Sequence, residues 1–182
     1  MMCGKVCFAA IVLGVFSSSF AGDAEFTKGT WDLEITGSYT TPIRFSDDKF
    51  TNGTVGVGYY LVDNLSLTAE VQGYYADQPD KDAVLAGLGG LVRWHMFTFD
   101  RFSLFLDGGG GVTYASREVP EFGTHFNFTG KAGLGMTFQI RRGVDLVGGA
   151  RYFHLSNGNI HGRDQNPSYD GIQFYGGVMW TF

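Results

Sequence analysis

Two positions apart, His154 and Ser156 set an imidazole beside a hydroxyl, and Asn157, Gly158 and, after a polar loop, Asp170 follow them in the chain. In an extended strand residues i and i+2 point to the same side. The imidazole is then a neighbour of the hydroxyl it would deprotonate, which is the first requirement of nucleophilic acyl transfer. Running back from His154, the positions of equal parity are Tyr152, Ala150, Gly148, Leu146 and Val144, while Arg151 and Asp145 have the other parity. The candidate base and nucleophile therefore share the apolar side of their strand. In a water-soluble protein that side would be the core.

The start of the chain argues against a soluble protein. Lys5, an apolar run from Val6 to Phe16 and the segment Ser17-Ser18-Ser19-Phe20-Ala21 match the charged, apolar and small-residue parts of a secretory signal peptide. The apolar run is too short to be a membrane anchor. Residues 1–21 are expected to be a signal peptide and residues 22–182 the mature domain. Removing 21 of 182 residues leaves 161, a length that suits one domain. Cys3 and Cys7 both fall in the leader, so the mature chain has no thiol for a disulfide, a nucleophile or a metal. Of 13 basic residues one, Lys5, is lost, leaving 12 against 18 acidic ones, a net charge of −6 that argues against nucleic acid as a partner.

The elements that must position the pair are strands. Glycine supplies 28 residues, Phe, Tyr and Trp supply 17, 9 and 3, and proline only 4, and no segment carries a convincing 3.6-residue period. Two-residue alternation recurs instead. Trp31, Leu33, Ile35, Gly37 and Tyr39 alternate with Asp32, Glu34, Thr36 and Ser38, and Leu65, Leu67, Ala69 and Val71 alternate with Ser66, Thr68, Glu70 and Gln72. Similar segments follow at Ala83–Phe97, Phe102–Ala115, Phe126–Gln139, Val144–Ser156 and Tyr169–Phe182, and with Val55–Tyr59 the count is eight.

Connections alternate as well. Tight turns are expected near Val62-Asp63-Asn64, Thr98–Arg101 and Arg141–Gly143, and long polar loops at Thr41–Phe50, Asp77–Lys81, Ser116–Gly123 and Asn157–Ser168. Short turns on one side and long loops on the other are the pattern of an eight-stranded antiparallel transmembrane β-barrel of the bacterial outer membrane. The terminal Phe182, in phase with Trp180, Val178, Phe174 and Ile172, resembles the terminal signal of such barrels. A soluble lipocalin-like barrel is the alternative, and it would turn Asp32, Glu34, Glu70 and Lys131 outward and the aromatics inward. In the membrane reading, Asp32, Glu34, Glu70, Lys131, Asp145 and Arg151 form a satisfied polar network inside, because eight strands leave room only for side chains.

His154 lies ten residues after Val144, about one bilayer crossing for a strand, so the pair reaches the outer edge of the hydrocarbon facing lipid. A polar pair on a lipid face tends to be functional. The run His154-Leu155-Ser156-Asn157-Gly158, followed by Asn166-Pro167-x-x-Asp170, resembles the lipid A 3-O-deacylases of the PagL family, also described as acyloxyacyl hydrolase-like barrels. The resemblance is specific over residues 150–182 and architectural elsewhere. It implies an outer-membrane esterase acting on lipopolysaccharide in the outer leaflet, with Ser156 as nucleophile, His154 as general base and Asn157 required for activity. Donors near Asn157 and Gly158 are expected to bind the oxyanion, with Asn166 in an oxyanion or supporting role. No cofactor is implied, and a homodimer is left open.

The third member of the triad has two candidates. The family often uses Glu; here the spacing after Asn166-Pro167 gives Asp170, whereas alignment on Asp170-Gly171-Ile172 gives Gln173. Parity from Phe182 puts Asp170 on the outer face with His154 and Gln173 in the lumen, unless a bulge in Tyr169–Phe174 resets the alternation. Other signals are weaker. Gly108–Gly111 does not open a helix, so a phosphate-binding loop is not indicated. His95, His125 and His161 lack metal-ligand spacing, and Asp77, Asp80 and Asp82 read as a solvated loop. A catalytically silent barrel, structural or adhesive, is the competing reading of function.

Overall fold

The computed structural model describes residues 26–43, 46–160, 162 and 166–182. The expected signal peptide at 1–21, with Cys3 and Cys7, lies outside the described residues, as does His161. Eight strands follow in order: β1 (Trp31–Pro42), β2 (Lys49–Val62), β3 (Leu65–Asp77), β4 (Ala83–Thr98), β5 (Phe102–Val119), β6 (Thr124–Arg141), β7 (Val144–Ser156) and β8 (Tyr169–Thr181). Each pairs antiparallel with the next, and β8 pairs with β1 to close the barrel. Closure leaves no strand edge, which is what permits a sheet to sit in lipid, where an unpaired backbone group has no water to turn to.

The alternation resolves as apolar outside and polar inside. Ile35, Val57, Val71, Leu88 and Leu134 stand on the outer wall, exposed by 43 to 62%. Asp32, Glu34, Glu70, Lys131, Asp145 and Arg151 are all buried in the lumen. A soluble barrel requires the reverse, so the lipocalin-like alternative is excluded. Aromatic side chains mark both ends of the apolar wall: Trp31 against Tyr59, with ring centroids 4.9 Å apart, at the inner end, and Tyr39, Tyr75 and Tyr114 at the outer end.

Inside, Arg93, Lys131 and Arg151 pair with Glu34, Asp107 and Glu70 across the lumen. Arg93 of β4 reaches Glu34 at 2.5 Å and Asp107 at 3.3 Å, Arg151 grips Asp107 with two nitrogens at 2.9 and 2.6 Å, and Lys131 meets Glu70 at 2.6 Å. Arg93 and Asp107, absent from the expected network, are its centre. Their guanidinium and carboxylate hold β1, β4, β5 and β7 together, with Arg93 stacked over Phe105 at 4.2 Å and Arg151 over Tyr175 at 3.7 Å. Above this layer an apolar cluster that includes Phe50, Tyr74, Leu85, Phe153, Leu155 and Tyr169 fills the outer end, and below it Phe26, Tyr60, Phe105, Tyr175 and Met179 fill the inner end. The interior is a packed core and not a channel.

Turns at the inner end are tighter than expected, only Asp63-Asn64, Phe99–Arg101 and Arg142-Gly143. Asn64 and Gly143, each the second residue of its turn, take the left-handed backbone (φ 65 and 69) of a type I turn that closes with a bulge. Register shifts at Tyr60/Val62, His95/Phe97 and Gln139/Arg141 accompany these three turns. One expected loop is shorter than Ser116–Gly123, because β5 continues to Val119. That residue is buried in the outer apolar cluster and anchors the strand after a register shift at Tyr114/Val119. The Gly108–Gly111 run sits inside β5, where a Cβ on Gly109 or Gly111 would stand 2.0 or 2.3 Å from a carbonyl oxygen of β4. Close approach of curved strands explains that run.

Candidate active site

Strands β7 and β8 pair without a register shift from Val144↔Trp180 to Leu155↔Tyr169, and this ladder sets His154 directly opposite Asp170. Side chains of a directly opposed pair start about 4.5–5.5 Å apart at Cβ. The imidazole spans that gap: His154 Nδ1 is 2.8 Å from Asp170 Oδ1, and His154 Nε2 is 3.0 Å from Ser156 Oγ. With a carboxylate on one side and a hydroxyl on the other, Nδ1 carries the proton and Nε2 accepts from Ser156. Asp170, His154 and Ser156 thus form one hydrogen-bonded chain on the outer wall. The His154 side chain is 37% exposed and that of Asp170 16%.

Gln173 is elsewhere. It is buried in the lumen, pairs in register with Arg151 and donates to Asn52 Oδ1 at 3.2 Å. No bulge intervenes between Tyr169 and Phe174, so the alternation that separates Asp170 from Gln173 holds.

Tyr152 is the residue that sequence reasoning missed. One step down the same face of β7, its hydroxyl donates to Asp170 Oδ1, the oxygen that also takes the His154 proton. A carboxylate turned toward lipid lacks water as a donor, and Tyr152 and His154 together supply that need. The signal was present as shared parity, but the contact depends on a diagonal across two strands that only the register fixes.

The loop after β7 is built by three asparagines. Asn157 N donates to Asn166 Oδ1 at 2.9 Å, Asn159 N donates to Asn157 Oδ1 at 2.9 Å, and Asn166 Nδ2 donates to Asn159 Oδ1 at 2.9 Å. Asn166 thereby ties the end of β7 to the approach of β8, and Asn157 is buried beneath the turn. Gly158 follows with a left-handed backbone (φ 63), and a Cβ there would crowd the Phe128 ring at 3.2 Å. On β6, Phe128 pairs with Ser156 and Gly130 with His154. The strand beside the imidazole therefore carries no side chain to cover it. Behind the site, Phe153, Leu155 and Tyr169 are fully buried.

The remaining sequence candidates disperse. His95 lies in the lumen, 2.8 Å from Ser103 Oγ and stacked on Phe26 at 3.8 Å, and His125 binds the Ala115 carbonyl at 2.9 Å. Asp82 accepts from the Tyr75 hydroxyl.

Fold and site together define a small outer-membrane barrel that carries a hydrogen-bonded serine, histidine and carboxylate on its lipid-facing wall. Three solved structures are similar in fold. Neisserial surface protein A shares 16% identity at a TM-score of 0.63, over 84% of this chain and 96% of its own. The outer membrane protein OprG from Pseudomonas aeruginosa shares 12% at 0.57, over 88% and 99%. The N-terminal barrel domain of Pseudomonas aeruginosa OprF shares 14% at 0.53, over 85% and 98%. A model of the lipid A 3-O-deacylase (PagL) family matches residues 33–178, and the chain belongs to that family. Membership implies a lipid A deacylase, a hydrolase of the bacterial outer membrane. A search of curated proteins found no match.

Proposed function

We propose that the protein hydrolyses the 3-O-linked acyl ester of lipid A by acyl transfer through Ser156, His154 and Asp170. The observation that carries this reading is the unbroken chain of hydrogen bonds from Asp170 through His154 to Ser156, set on the lipid side near the outer end of β7. Acyl esters of lipopolysaccharide lie at that depth in the outer leaflet. His154 Nε2 takes the Ser156 proton as Oγ attacks the ester carbonyl, and Asp170 stabilises the imidazolium that results. The same imidazolium then protonates the departing sugar oxygen, and a water activated by His154 releases the fatty acid from Ser156.

The tetrahedral intermediate needs donors aimed at its oxyanion. Asn157 N–H and Asn159 N–H are engaged within the loop. Gly158 N–H, held next to Ser156 by the left-handed turn, is the backbone donor we assign to the oxyanion. Asn157 and Asn166 support it by fixing that turn.

Mass spectrometry of lipid A from cells expressing the protein tests the reading. Lipid A shortened by one 3-O-linked hydroxyacyl chain is the expected product. Unaltered lipid A in the presence of correctly assembled barrel would leave the catalytically silent reading in its place.

A further inference from the structure

The barrel wall rises highest at β5 and β6, each 18 residues long, on the side of β6 away from Ser156. Val112 and Phe128 stand level with Ser156, and β5 continues seven residues past Val112 to Val119. Against this extension lie two adjoining recesses of about 350 and 520 Å³, which share Glu118, Phe122 and His125.

Their lining is of two kinds. Flat rings come first: Tyr114 stacks on His125 with centroids 6.0 Å apart, and Phe126 continues the row, edge-on to Phe128 at 5.3 Å. Phe122 is 79% exposed and holds a left-handed backbone (φ 65) that glycine would adopt without strain. Folding does not ask for an aromatic ring there, and a strained exposed residue directs attention to function. Around the rings stand polar groups of both signs, Lys81 and Arg117 among Asp80, Glu118 and Glu121.

Gln78 adds a separate observation. It is 8% exposed, its Nε2 donates to the carbonyls of Lys81 and Glu118, and its Oε1 is buried with no donor among the described residues. The two amide donors fix which way the side chain lies, so the acceptor without a partner is oxygen. A buried acceptor of this kind suits a hydroxyl.

Apolar rings, carboxylates, cations and a buried amide oxygen that lacks a donor among the described residues fit one ligand chemistry, a sugar. Its C–H face lies on aromatic rings, and its hydroxyls donate to carboxylates and accept from guanidinium and ammonium. Mixed signs, three carboxylates against two cations, disfavour a bare phosphate. Strand spacing and rise place Phe126 and Tyr114 roughly 8–12 Å from Ser156, a span that one or two hexose rings cover. We propose that this recess is a carbohydrate subsite holding the glucosamine headgroup of the same lipid whose acyl ester reaches Ser156; the proposal rests on the deacylase reading above.

The test separates the two. The Ser156→Ala protein in detergent micelles is titrated with the fully deacylated glucosamine disaccharide of lipid A, and binding is followed by calorimetry. Saturable binding is expected, weakened roughly five- to tenfold by Phe122→Gly and by Tyr114→Ala. Phe122→Gly suits the left-handed turn, so misfolding does not explain its loss. Absence of binding, or binding unchanged in both variants, overturns the subsite. If the wild type deacylates lipid A while the disaccharide does not bind, the subsite falls and the deacylase reading stands. If the disaccharide binds in the expected way while lipid A is untouched, the subsite stands as a glycolipid headgroup site and the catalytic reading falls.

Discussion

Strand β7 carries one polar network on each of its faces, and they are built differently. Arg151 points into the lumen, where Asp107 meets it with both oxygens and Arg93 shares the same carboxylate. Three residues on, His154 points outward and is held by one oxygen of Asp170 and the hydroxyl of Ser156. The inner network is dense and closed off by apolar layers at both ends. Buried charges of that kind are tolerable only as satisfied pairs, and their removal costs stability. The outer network is sparse and faces the medium in which the substrate is dissolved. Polar groups placed where lipid penalises them, with Gly130 leaving the strand beside them bare, are the arrangement that the proposed acyl transfer needs.

Breaking the outer network at its reacting atom should have the largest effect. Ser156→Ala is expected to lower lipid A deacylation by about 10⁶-fold, with His154→Ala close behind and the double variant no worse, since members of one catalytic unit are not additive. Rates measured on purified barrel check this; near-normal turnover in Ser156→Ala would point to a mechanism without an acyl-enzyme. Asp170→Asn removes the charge that stabilises the imidazolium, and a loss of about 10⁴-fold in kcat is expected. Asp170→Glu should recover part of the loss.

The inner network should respond on a different axis. Asp107→Ala leaves Arg93 and Arg151 without their shared carboxylate, for an expected loss of about 3–5 kcal/mol in unfolding free energy. Urea titration of the barrel in micelles measures it, while turnover per folded molecule stays within about twofold. A catalytic loss with unchanged stability would show that the two faces are coupled.

Tyr152→Phe removes one donor from Asp170, and turnover should fall about tenfold, the cost of one charge-assisted hydrogen bond. A merely structural loss would appear instead as a lower urea midpoint, with turnover per folded molecule unchanged. Gln173→Ala, across the wall, should change turnover by less than about twofold, since its partner is Asn52 in the lumen; a larger drop would reopen the choice of acid.

What was legible in the sequence follows from the period of a strand. Two-residue alternation fixed the face of His154, Ser156 and Asp170 and kept Gln173 off it, and an unbroken β7–β8 ladder left that inference intact. The centre of the inner network was not legible, because Arg93 and Asp107 lie in β4 and β5. There Gly87, Gly89, Gly109 and Gly111 interrupt the lumen-facing half of the alternation, and Gly90, Gly108 and Gly110 the apolar half. Partners across the lumen depend on which strands face each other after closure, a property of the whole barrel. The asparagine clamp was half visible: Asn157 and Asn166 stood out by resemblance, but their mutual hydrogen bond closes a loop whose shape no local pattern encodes. Ser116-Arg117-Glu118 reads as loop by composition, yet Val119 beyond it is drawn into the outer apolar cluster and keeps the strand going.

That cluster also bears on where hydrolytic water would come from. Phe50, Phe153, Leu155 and Tyr169, each with almost no accessible surface, stand inboard of Ser156, His154 and Asp170 and close the lumen side among the described residues. On the acyl-enzyme route proposed above, the water that frees the fatty acid would descend from the hydrated sugar layer past Asn157 and Gly158. Turnover would then track the wetness of the leaflet surface, and crowding that surface with divalent-bridged lipopolysaccharide would slow the second half of the proposed reaction while leaving the first untouched.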